Sequence, residues 1–189
     1  KIIIKQGTFY ESGIVITRKI DLIGENYPVI DGGFHGEIIT VRADGVVIKG
    51  LRVQNTGISS MKDNAAIKIE NSSGCLIQSN KLANNYFGIY LAGSKKCTAV
   101  TESSSGNGIH LWKCDSISIR NNFISGHRDG IYFEFVTNSR VENNSSYKNI
   151  RYGLHFMFSN GDDYENNVFS ENGAGVAVMY TKNVKMINN

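Results

Sequence analysis

The sequence predicts an all-β chain, a right-handed parallel β-helix wound as a solenoid of about 22-residue coils, from three observations. A Gly or Ala followed by alternating apolar residues recurs at Ala66, Gly88, Gly108, Gly130, Gly153 and Gly175, at intervals of 22, 20, 22, 23 and 22. Each copy alternates over four to six residues, as in Gly130-Ile131-Tyr132-Phe133, the mark of a half-buried strand. A second strand follows and ends in Asn, at Asn80, Asn122, Asn144, Asn167 and Asn189. A repeat this short leaves no room for a helical crossover, so each coil must lie directly on the next.

Taken along the chain, the first 60 residues are less regular but alternate in the same way, with Ile14 and Ile16, Ile20 and Leu22, Val46 and Ile48, and Leu51 and Val53 as core positions. Residues Thr56 to Asn64 hold Gly57, serines and charges without apolar periodicity, which predicts a loop thrown out from a corner. From Ala66 onward the coils are regular, except that the one around Val100-Thr101-Glu102-Ser103 lacks the asparagine. The recurring asparagines suit left-handed corners, and stacked copies can exchange amide hydrogen bonds. Asn144, in the sequon Asn144-Ser145-Ser146, is therefore expected to point inward, whereas Asn71-Ser72-Ser73 sits on a loop. One domain, 1–189, is expected, as a fragment without its signal peptide and C-terminal coils, because the last strand at Asn188-Asn189 has nothing after it to cap the stack.

Composition narrows the function classes. Twenty Lys and Arg against 17 Asp and Glu are scattered along the chain, which argues against a nucleic-acid binder. Cys75, Cys97 and Cys114 have neither a disulfide framework nor metal-finger spacing. Cys75 and Cys97 are 22 apart and fall in one column, either as a disulfide or as stacked buried thiols. No glycine-rich phosphate loop is present, so any ATP is used by another subunit.

Placing the alternating apolar residues inside puts two columns outside, about 4.8 Å apart from coil to coil. One runs Tyr90, His110, Tyr132, His155, Ala177; the other runs Ala92, Trp112, Glu134, Met157, Met179. An exposed face rich in His, Met and aromatic residues is unlike a solvated strand surface and marks a contact site. His155, Met157 and Met179 combine imidazole with thioethers, a donor set suited to Cu(I); the same residues equally suit docking of a partner protein. His110, His127 in the corner Ser125–Gly130, and Met61 on the projecting loop are weaker additions, while His35 is expected to be merely solvated. Tyr90, Trp112, Tyr132 and Glu134 form the rest of the partner or ligand face. A competing reading is a carbohydrate-binding or polysaccharide-cleaving β-helix, with Tyr90, Trp112 and Tyr132 stacking on sugars. Its catalytic carboxylates would come from Asp129, Glu134, Asp162 and Asp163, and an Arg128–Asp129 pair is the structural alternative.

Several segments resemble one family. Asn85-Tyr86-Phe87-Gly88-Ile89-Tyr90-Leu91, Gly106-Asn107-Gly108-Ile109-His110-Leu111-Trp112, Arg151-Tyr152-Gly153-Leu154-His155-Phe156-Met157-Phe158-Ser159-Asn160 and Val178-Met179-Tyr180 look like the NosD family of periplasmic β-helix proteins in nitrous oxide reductase maturation. The resemblance implies a copper-delivery factor with no catalytic residues, carrying Cu(I) transiently. It also implies a periplasmic location, held at the inner membrane by partners: membrane ABC-type subunits, a lipoprotein copper chaperone and nitrous oxide reductase, with no nucleic acid.

Overall fold

A computed structural model describes residues 1–59, 61–102 and 106–189, together with the backbone alone for 100–102; Ser103, which the sequence reading placed in the coil without an asparagine, lies outside the described residues. Every strand pair is parallel, and the strands form a β-helix. One sheet has eight strands: Ile14–Ile16, Ile39–Val41, Ala65–Glu70, Phe87–Ala92, Asn107–Trp112, Asp129–Glu134, Tyr152–Met157 and Ala174–Met179. A 15-stranded sheet forms the other two faces, because the strands Leu76–Ala83 and Thr98–Glu102 run around a corner and pair on both sides of it. Each regular coil thus has three strands, one more than the sequence reading counted. The extra one is three residues long, as in Phe123–Ser125 and Ser145–Tyr147.

The alternation seen in the sequence sorts side chains as expected. Ile67, Ile89, Ile109, Ile131 and Leu154 lie in one inner column, and Ile69, Leu91, Leu111, Phe133 and Phe156 in the next, all fully buried. At about 1.5–3 kcal/mol for each buried aliphatic or aromatic side chain, these columns dominate the favourable side of folding. The repeated glycine has its own cause. A Cβ on Gly130 would stand 2.0 Å from Ser146 Oγ and 2.7 Å from the Gly153 carbonyl oxygen, so only glycine lets the stacked backbones approach here.

The paired asparagines divide two jobs. Asn121, Asn143 and Asn166 take the left-handed corner at φ 55°. Asn122, Asn144 and Asn167 turn inward and are nearly fully buried. Asn122 Nδ2 donates to Asn144 Oδ1 at 2.8 Å, Asn144 Nδ2 to Asn167 Oδ1 at 2.9 Å, and Asn167 Nδ2 to Asn189 Oδ1 at 2.7 Å. Asn144 is thus not placed as a glycosylation acceptor. A second ladder lies five residues further on: Asn149 Nδ2 donates to Asn172 Oδ1 at 2.8 Å, and the His127 backbone N–H donates to Asn149 Oδ1 at 3.0 Å. The loop expected over Thr56–Asn64 leaves the helix between the strands Arg52–Gln54 and Ala65–Glu70.

Candidate functional site

The outer face of the eight-stranded sheet carries the two columns in the predicted register. Tyr90 pairs with His110, His110 with Tyr132, Tyr132 with His155 and His155 with Ala177. Trp112 pairs with Glu134, Glu134 with Met157 and Met157 with Met179. The first column is not the exposed face expected of it. Tyr90 and His155 are buried, and His110 and Tyr132 half-buried, because each ring covers the next. Ring centroids are 4.9 Å apart for Tyr90–His110, 4.6 Å for His110–Tyr132 and 4.8 Å for Tyr132–His155, all near edge-to-face. Tyr152 closes on His155 from its own strand at 4.9 Å. The second column is the more open one, with Trp112 at 36% and Met179 at 37% exposure.

At the C-terminal end of the stack, Asp129 is fully buried. Arg151, one coil on, grips it with both arms: Nε donates to Asp129 Oδ1 at 3.0 Å and Nη2 to Oδ2. Arg128, the partner expected from the sequence, also pairs with Asp129, more loosely, its Nε 3.9 Å from Oδ2. His155 Nδ1 faces the same carboxylate, 3.5 Å from Oδ2, while its Nε2 is buried without a hydrogen-bond partner. Burial holds the His155 pKa below its ordinary value against the pull of Asp129. Tyr132 Oη donates to Met157 Sδ at 3.2 Å and lies 3.5 Å from Glu134 Oε2. The structure therefore gathers His155, Met157 and Met179 on adjacent strands, with an imidazole nitrogen that has no hydrogen-bond partner and two thioethers.

The weaker candidates part company. His110 lies on the same column, two strands from His155, and burial pushes its pKa down to about 3. His127 was expected to extend the site from its corner; it is instead fully buried at an inner ladder position, its pKa lowered to about 4 by burial, and so does not reach the outer face. Met61 is 92% exposed, on the loop whose Asp63 reaches Tyr90, three strands or about 14 Å from His155. His35 is exposed, as expected. Cys75 and Cys97 are stacked buried thiols, and contact between them lowers the pKa of Cys75.

Sequence reasoning missed two features. One is the Asp129–Arg151 clamp, whose 22-residue spacing is the coil length. The other is a corner column, Phe135, Phe158 and Tyr180, at positive φ of 55°, 50° and 50°, where earlier coils place Asn71, Gly93 and Lys113. Its rings stack nearly parallel, 5.1 Å and 5.0 Å apart, and Tyr180 is 78% exposed. The carboxylates of the polysaccharide reading do not share a groove. Asp162 points into the core, Asp129 is held by Arg151, and Asp163 lies near Arg140 and Lys185.

The fold and the site together define a parallel β-helix protein whose outer sheet carries an aromatic and histidine column beside one that ends in two methionines. Similar solved structures are the periplasmic alginate epimerase AlgG T265N mutant, at a TM-score of 0.68 and 18% identity over 91% of this chain and 46% of that one, and pectin methylesterase from Yersinia enterocolitica, at 0.51 and 13% over 99% and 85%. Endopolygalacturonase I from Stereum purpureum gives 0.54 and 11% over 98% and 93%. At these identities the likeness is one of fold. The chain belongs to the NosD family: the family model described as periplasmic copper-binding protein (NosD) matches residues 94–189. A Pseudomonas aeruginosa relative named as a probable ABC transporter binding protein NosD is 31% identical over 132 residues, 64% of this chain. The chain spans about a third, 31%, of that relative's length.

Proposed function

We propose that this chain is a β-helix domain of a periplasmic copper-delivery factor for the copper–sulfur site of nitrous oxide reductase. In this reading it works with membrane ABC-type subunits at the inner membrane and receives Cu(I) from a lipoprotein copper chaperone. It performs no covalent chemistry of its own, and ATP is spent by the partners.

The observation that carries the reading is His155 Nε2, a buried nitrogen without a partner, on a strand whose next outward residue, Met157, lies in register with Met179. A thioether–imidazole set favours Cu(I) over hard divalent ions. Copper is cargo here, so a site of few soft ligands suits both loading and release. The stacked corner Phe135–Phe158–Tyr180, immediately after Met157 and Met179 in its last two coils, supports chaperone docking beside the donors.

An anaerobic Cu(I) titration against a chromogenic competitor, comparing the wild type with a His155, Met157, Met179 triple alanine variant, tests the site. The wild type is expected to withhold one equivalent and the variant none. No competition by the wild type removes direct ligation, and retention of the chaperone by the wild type but not the variant would then assign these residues to docking.

A further inference from the structure

The two histidines of the outer column meet opposite neighbours. His155 Nδ1 faces Asp129, an acceptor with no hydrogen to give, so that nitrogen must carry the proton. His110 Nδ1 lies 3.3 Å from Asn107 Nδ2, a donor, so with the amide in this orientation the same nitrogen is bare. Both rings are held between aromatic neighbours, at ring-centroid distances of 4.6 to 4.9 Å. His155 Nε2 is buried without a hydrogen-bond partner and His110 Nδ1 faces a donor, so each ring has one nitrogen with nothing to receive a proton and places its single proton on the other.

We infer that Asp129, clamped by Arg151, is a positioning residue that fixes His155 as the Nδ1–H tautomer with its Nε2 lone pair open, whereas Asn107 fixes His110 as the opposite, Nε2–H tautomer. The chemistry follows from the proton count. A soft cation that reaches His155 Nε2 past the side chains burying it finds a lone pair with no proton or hydrogen bond to displace, and the carboxylate behind Nδ1–H raises the basicity of the donor. At His110 the Nε2 carries the hydrogen and has no lone pair to offer the same ion. The column therefore has two histidines of identical register and unequal ligand character. This inference rests on the copper reading for its purpose, but not for its test.

Long-range proton–nitrogen correlation NMR of the apo protein labelled with 15N-histidine reads which ring nitrogen carries the proton, with His110→Gln and His155→Gln assigning the signals. The expected result is protonated Nδ1 on His155 and protonated Nε2 on His110. Protonated Nε2 on His155, or the same tautomer on both rings, overturns the inference; the wild type supplies the decisive spectrum, and ring-to-backbone correlations assign it should a Gln variant fail to fold. Asp129→Asn is expected to release His155 towards the Nε2–H form that free imidazole prefers in water, and Asp129→Glu to restore Nδ1–H. An unchanged tautomer in a folded Asp129→Asn protein removes the positioning role. Adding Cu(I) separates the two readings. A shift confined to His155 Nε2 supports both; the expected tautomers with no response to Cu(I) sustain the inference while the copper reading fails.

Discussion

Early and late coils of this solenoid present different chemistry at equivalent backbone positions. In the strand Ala65–Glu70, Lys68 and Glu70 point outward and pair ionically: Lys68 Nζ stands 2.9 Å from Glu70 and 3.3 Å from Glu37, and Arg42 Nε 2.8 Å from Glu70. Along the same columns, four strands on, stand His155 and Met157. At the inner corner, buried thiols Cys75 and Cys97 give way through Ile117 and Ser139 to Asp162. At the outer corner, Asn71 and Gly93 give way through Lys113 to Phe135, Phe158 and Tyr180. The backbone repeats, so function is read where its side chains depart from the ordinary filling of those positions.

The largest effect is expected where early and late coils share one requirement. Asn144 accepts from the Asn122 backbone and side chain and donates to the Ile119 carbonyl and Asn167. Asn144→Ala removes these four buried hydrogen bonds, at about 0.5–1.5 kcal/mol for each. A loss on the order of 4 kcal/mol in urea unfolding is expected, with binding to Cu(I) lost only as far as the protein unfolds. A loss below about 1 kcal/mol would mean that the ladder decorates the corners and does not hold them.

The inner corner sharpens the comparison. Burial raises the Asp162 pKa from 3.8 to about 7, against the lowering effect of the Ser139 N–H that donates to it at 2.8 Å. Between those values the unfolded chain gives up the proton while the folded chain keeps it, so this group makes stability fall as pH rises through the window and level off above it. Asp162→Asn keeps an acceptor for Ser139 and needs no proton. The variant is expected to exceed the wild type by on the order of 3 kcal/mol at pH 7.5 and to converge with it near pH 4, by urea unfolding across that range. A pH-independent difference would overturn the assignment.

How much of this was legible in the sequence follows from what each residue type constrains. Period, alternation and the terminal asparagines expose the coil because every coil repeats the same demands. The third strand stayed hidden because segments such as Val168–Ser170 are too short to show a period. The columns of His155, Met157 and Met179 were legible, since alternation separates inside from outside. The burial of the rings was not, because alternation is silent on whether outer side chains cover one another. His127 was misplaced because a histidine stands where Asn149 and Asn172 carry the second ladder; the common spacing of five from Asn122, Asn144 and Asn167 is the signal that places it. The pairing of Asp129 with its neighbour in sequence, Arg128, is present, but the closer grip of Arg151 was not legible, because in a solenoid the neighbour in space is also one coil away.

The smallest effect on stability is expected at the outer corner. Phe158 sits at φ 50°, a left-handed conformation that costs a residue with a Cβ about 1–2 kcal/mol, and its ring stacks on Phe135 and Tyr180. Phe158→Asn restores the residue type found at Asn71, relieving part of that strain, and forfeits two ring contacts of about 0.5–1.5 kcal/mol each. The two changes nearly cancel, so unfolding free energy is expected to move by less than about 1 kcal/mol, while chaperone retention in a pull-down falls and the Cu(I) titration is unchanged. A stability loss above about 2 kcal/mol would make the aromatic corner a structural ladder like that of the asparagines. Near-neutral stability with weakened docking would instead explain why strained, exposed aromatic residues gather in the coils that carry Met157 and Met179: the cost falls on the fold and the gain on the contact.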